Sequence, residues 1–116
     1  MLPLDKSMRP RIMYIELKTH DGGHDDNGPA WIARVTFSKT GKMVYWRGKK
    51  LQRGQRGCGN HFDVETGEVY WISGPKKNGQ DRYPWTGEKT QIDPDVREEY
   101  WTAIRKQPER ASEKFA

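Results

Sequence analysis

Apolar and polar positions alternate most clearly at Trp31, Ala33, Val35 and Phe37, which interleave with Ile32, Arg34 and Thr36. A period of two predicts a strand with one face turned inward. Ser38-Lys39-Thr40-Gly41-Lys42 then turns the chain and Met43-Val44-Tyr45-Trp46 returns it. Residues 31–37 and 43–47 are therefore predicted to form an antiparallel hairpin with Trp31, Val35 and Phe37 facing the core. A second hairpin is predicted from Phe62-Asp63-Val64 and Glu68-Val69-Tyr70-Trp71-Ile72-Ser73 about a turn at Glu65-Thr66-Gly67. Residues 12–17 form a further strand candidate, so uniformly apolar that its facing stays ambiguous. Two stretches read as loops. One is the polar run from His20 to Pro29; the other is the Gly-rich basic run from Arg47 to Gly57, which is expected to be flexible.

A helical pattern occurs once. Asp93 is placed as an N-cap, Pro94 suits the first helical position, and Val96, Tyr100, Ala103 and Ile104 share a face until Pro108 stops the helix. The expected organisation is a flexible N-terminal segment over 1–11, one β-rich domain over 12–107 with its helix at about 94–107, and a frayed tail over 108–116. The fold class is mostly β (α+β): a small SH3-like or half-open barrel or roll of about five antiparallel strands with one C-terminal helix.

Composition bounds the function. The chain has 116 residues, enough for one domain, and 33% are hydrophobic, with five Trp, five Tyr and three Phe to supply bulk to the core. No apolar run is long enough to cross a bilayer, and the basic stretch Met1 to Arg11 is followed by no apolar segment of the signal-peptide kind. Cys58 is the only cysteine, so an intrachain disulfide is excluded and a cytoplasmic location is expected.

Charge sharpens the picture. Residues 30–57 contain eight basic groups (Arg34, Lys39, Lys42, Arg47, Lys49, Lys50, Arg53 and Arg56) and no acidic one, against a net charge of +5 for the whole chain. Cations attract phosphates, and a Gly-rich stretch can follow a nucleic-acid backbone. Tyr45 and Trp46 lie beside this segment and could stack on bases, although the position of Trp46 inside the return strand favours the core. Tyr83 and Trp85 either cap the barrel or contact a partner. Nucleic-acid binding through residues 34–56 is the first expectation, and docking of an acidic protein on the same surface is the second. A small enzyme or metal-binding protein is the third. For the third, His20-x3-His24 and Cys58-x2-His61 have spacings that metal ligands use, but one Cys and three His make an uncommon zinc set, and no cofactor or metal is expected. Cys58 lacks any local nucleophile signature, and the chain has no P-loop, dinucleotide fingerprint or nucleophile elbow.

The run Pro29-Ala30-Trp31-Ile32-Ala33-Arg34-Val35-Thr36-Phe37-Ser38-Lys39-Thr40-Gly41-Lys42, the run from Phe62 to Gly79 and the stretch from Asp93 to Trp101 resemble a family of short bacterial proteins of unestablished function. Its members often carry the label 1-deoxy-D-xylulose-5-phosphate synthase. Those synthases are thiamine-diphosphate enzymes several times longer, with a cofactor motif that begins Gly-Asp-Gly. Here the order is Asp21-Gly22-Gly23, so the resemblance implies a bacterial source and a compact fold and supplies no catalytic residue.

Overall fold

A computed structural model describes residues 9–19, 28–82 and 89–116. The strands are β1 (Arg9–Leu17), β2 (Ala30–Phe37), β3 (Met43–Trp46), β4 (Lys49–Arg56), β5 (Gly59–Asp63), β6 (Val69–Ser73) and β7 (Gln91–Ile92). A single C-terminal helical segment follows. It is built from a 3-10 turn at Pro94–Val96, an α turn at Arg97–Glu99 and a π turn at Tyr100–Ile104. The chain is thus mostly β, as expected, with seven strands among the described residues.

β2 to β6 run as an antiparallel meander, and β1 pairs with both its first strand and its last. The pairing closes into a barrel-like ring. β7 adds to β2 in parallel through Trp31 and Ile32. The interior holds Met13, Ile15, Ala33, Val35, Val44, Trp46, Leu51, Tyr70 and Ile72, with Leu17, Trp31 and Phe37 partly buried against them. The alternation of β2 holds as predicted, with Val35 fully buried and Trp31 and Phe37 nearer the rims.

A second core lies outside the ring, where Ile12, Tyr14, Ala30 and Ile32 pack against Ile92, Val96, Tyr100 and Trp101. This explains why residues 12–17 of β1 are nearly all apolar: one face lines the ring and the other lies under the helix, so Glu16 is the one polar residue among them. The expected helical stripe needs correction. Ala103 is exposed, and Trp101 is fully buried in its place. The closing bond from the Arg105 N–H to the Tyr100 carbonyl spans five residues, so the last turn departs from the period of the α-helix.

The basic run 47–57, expected as a flexible loop, is mostly the strand β4. Arg47 and Gly48 both take positive φ, +50° and +74°, between the paired Trp46 and Lys49. That is the backbone of a two-residue type I′ hairpin turn. Arg47 occupies a position that Asn or Asp normally marks, so the turn carries no usual signature. Its left-handed backbone is held in place by the side chain, which donates to Asp93 Oδ1 at 2.7 Å and lies 4.8 Å from the Trp46 ring centroid.

Of the expected flexible segment 1–11, residues 1–8 lie outside the described residues. Arg9–Arg11 extend β1. Residues 108–116 are held to the body rather than frayed: the Ile92 N–H donates to the Lys114 carbonyl at 2.8 Å, the Ala116 N–H to the Thr90 carbonyl at 2.9 Å, and Trp101 Nε1 to the Glu113 carbonyl at 3.0 Å.

These burial differences set an order of stability losses. Leu51 is fully buried, so Leu51→Ala is expected to cost about 2–5 kcal/mol in urea unfolding. Phe37 is half-buried, and Phe37→Ala is expected to fall below the roughly 3–5 kcal/mol of a fully buried Phe. A Phe37 variant less stable than the Leu51 variant would contradict this placement.

Candidate functional site

The eight cations of residues 30–57 separate into two groups. Three are engaged in ion pairs. Arg34 Nη2 lies 3.1 Å from Glu99 Oε1, Arg47 Nη2 lies 2.7 Å from Asp93 Oδ1, and Lys49 Nζ lies 3.9 Å from Asp63 Oδ2. The first two tie β2 and the β3–β4 turn to the helical segment. Asp93 thereby spends its carboxylate on Arg47 and makes no side-chain cap bond. Lys39, Lys42, Lys50, Arg53 and Arg56 are all exposed and form no ion pair among the described residues.

These five come from the β2–β3 turn and from the adjoining β4, where Lys50 faces outward with Tyr45 and Arg53 shares the side of its cross-strand partner His61. The Arg53 N–H donates to the Lys42 carbonyl at 2.8 Å, and Lys50 pairs across the ladder with Tyr45. Arg56 caps this surface by stacking on Phe62, with its guanidinium carbon 3.7 Å from the ring centroid. No acidic residue occurs between Ala30 and Phe62. Asp63, the first one, is buried and accepts from the N–H groups of Glu65 and Thr66.

The aromatic candidates divide in the same way. Trp46 is buried, 5.0 Å from Trp31 and 6.1 Å from Tyr70 between ring centroids, and therefore belongs to the core rather than to a stacking surface. Tyr45 is half-buried on the opposite side of β3. Phe62, predicted only as the first residue of the second hairpin, joins the basic surface. Period two read through the buried His61 and Asp63 could have turned it outward, but the apolar pattern had marked the strand as beginning at Phe62. Tyr83, Trp85, His20 and His24 lie outside the described residues.

His61 and Cys58 have unlike surroundings. Cys58 is exposed at the β4–β5 turn. His61 is buried, with Nδ1 2.9 Å from Asn60 Oδ1, and Asn60 in turn bonds both the N–H and the carbonyl of Ile72. Among the described residues no group of three or more His, Cys, Asp or Glu is arranged to hold a metal. Burial, with the Arg53 charge beside it, pushes the His61 imidazole down to about 4, which keeps it neutral.

A separate polar cluster was invisible in the sequence. Glu16, inside the apolar run of β1, is buried with Lys18 and the Arg82 side chain. Tyr14 donates its hydroxyl to Glu16 Oε1, Lys18 Nζ donates to Oε2 at 2.6 Å, and Arg82 Nε lies 3.8 Å from Oε1. Burial and the adjacent carboxylate push the Tyr14 phenol up. Arg82 also donates to the Gly28 carbonyl at 2.7 Å, so the cluster ties β1 to two connecting segments. It borders a cleft of about 290 Å³ that Cys58, Trp71, Lys76 and Asp81 also line.

Comparison of the chain with protein-family models, with curated proteins and with solved structures finds no match.

The neutral His61 predicts a pH dependence of stability. The unfolded chain takes up a proton at this imidazole as pH falls through about 6.5, whereas the folded chain resists until about 4. Stability is therefore present above pH 6.5 and falls across that window, by up to about 3 kcal/mol. Urea midpoints measured from pH 7 to pH 4 should show the loss, and His61→Gln should flatten that part of the profile. An unchanged slope in the variant would remove His61 as the cause.

Proposed function

We propose that the chain is a small nucleic-acid-binding module in which Lys39, Lys42, Lys50, Arg53 and Arg56 meet the phosphate backbone. The observation that carries this reading is the sorting of the cations. Where the fold needs positive charge it supplies Glu99, Asp93 and Asp63 as partners of Arg34, Arg47 and Lys49; for Lys39 and Lys42 on the β2–β3 turn and for Lys50, Arg53 and Arg56 farther along β4 it supplies none among the described residues. Like charges gathered without counter-charges repel one another and stabilise nothing by themselves. A polyanion relieves that repulsion and releases its own condensed counterions on binding. Phosphate contacts of this kind position a strand without reading its sequence.

The expected module acts by binding, with no catalytic step. Docking of an acidic protein on the same surface is the second reading, supported by the same charges. Tyr45 and Phe62, both half-buried, favour nucleic acid, because aromatics interleaved with cations suit bases as well as phosphates.

The test is binding to labelled single- and double-stranded oligonucleotides across a salt series. The logarithm of affinity is expected to fall linearly with that of salt, by about 0.7–0.9 per neutralised phosphate. Changing Lys50, Arg53 and Arg56 together to Gln is expected to weaken binding and flatten the slope by up to about three phosphates, with stability changed by less than about 1 kcal/mol. Association that ignores salt, or none with either form at low salt, would sink the reading. Tight binding of polyglutamate under conditions where oligonucleotides fail would establish the acidic-partner alternative.

A further inference from the structure

Along β3, β4 and β5 the side chains alternate between the ring interior and the outside. Val44, Trp46 and Leu51 line the interior, which turns Tyr45 and its cross-strand partner Lys50 outward, and likewise Gln52 and its partner Phe62. The ladder shifts register between Arg53 and Arg56. Beyond the shift, Arg56 lies on this outer side too, because its guanidinium covers the Phe62 ring at 3.7 Å. Gly54 belongs to the same stack. A Cβ built at position 54 would come within 3.1 Å of the Phe62 ring, so the ring lies down over bare backbone that any side chain would crowd.

The result is a stack in which Gly54 meets the Phe62 ring and the Arg56 guanidinium covers that ring, with Arg56 exposed. The helical segment packs instead on the outer faces of β1 and β2. A guanidinium is planar, and one placed over an aromatic ring offers a cation on which unstacked bases can lie. A duplex hides its base faces inside its own stack and cannot use it. From residue 30 to residue 62 no carboxylate opposes the approach of phosphates.

We infer that the outer face of β3–β5 binds single-stranded nucleic acid, with bases lying on the Arg56–Phe62 pair and on Tyr45 while the neighbouring cations meet phosphates. The inference rests on the nucleic-acid reading above and narrows it to one strand form. It is tested by fluorescence anisotropy with a labelled thymidine homopolymer, a duplex of the same length, and heparin, a polyanion without bases. The homopolymer is expected to bind more tightly than the duplex or heparin at equal salt. Arg56→Lys keeps the charge and removes the plane; Tyr45→Ala removes the second platform. Each is expected to weaken homopolymer binding by about 5- to 150-fold, the range for losing one stacked base, with the salt slope unchanged. Urea midpoints close to that of the parent chain would show that both variants fold. Duplex or heparin binding as tight as homopolymer binding, or an Arg56→Lys variant indistinguishable from the parent, would overturn the stacking surface while leaving phosphate binding in place. No binding to either nucleic acid at low salt would overturn both.

Discussion

The fold depends on β1 being satisfied in four directions at once. Its two edges hydrogen-bond to β2 and β6, which closes the meander into a ring. Its two faces are covered, one by the interior around Ile15 and the other by Tyr100, Trp101 and their neighbours in the outer core. A strand with no side turned to water tolerates few polar groups, so the exception stands out. Glu16 is buried there with Lys18, Tyr14 and Arg82 gathered around it. Burying one ionised carboxylate demands such company, and removing a single member leaves the others stranded. The cluster makes the seam between β1 and the segments at 28 and 82 intolerant of misplacement.

Charge is divided by purpose in the rest of the molecule. Arg47 illustrates structural use: one guanidinium answers Asp93, lies over Trp31 and Trp46, and stabilises a strained turn. On β4, Lys49 answers Asp63, while Lys50, Arg53 and Arg56 are left facing water. Because β4 and β5 continue directly from that turn, the same Arg47 that anchors the helix end also fixes the direction in which Lys50 and Arg56 project. The structural and the ligand-facing charges are neighbours in sequence and differ only in whether the fold brings a carboxylate to them.

Much of the fold was legible where polar side chains still mark the outer side of a strand, as Arg34 and Thr36 do in β2, although Ile32 on that side is buried under the helical segment. The basic surface was legible as a charge run, but its architecture was not. β4 was read as a loop because its hairpin turn uses Arg47 at positive φ, and because Gly54 and Gly57 resemble loop punctuation. Gly54 instead serves the packing of Phe62. Trp101 was missed because a π turn breaks the α-helical period on which the expected stripe relied. The hold on residues 108–116 runs through backbone bonds and the Trp101 indole, which no pattern of residue types advertises. In each case a long-range partner overrode a local signal.

That hold has a consequence for self-association. A ring of strands has no raw margin, but β7 lies outside the ring, paired with β2 on one side only. Its other side would offer a row of unmet donors and acceptors on which a foreign strand could grow. Residues 114–116 occupy that row, bridging Gln91 to Phe115 and bonding Thr90 and Ile92. The chain thus covers the free side of β7 itself, and the segment that looks most dispensable by composition is the one that occupies that row of donors and acceptors.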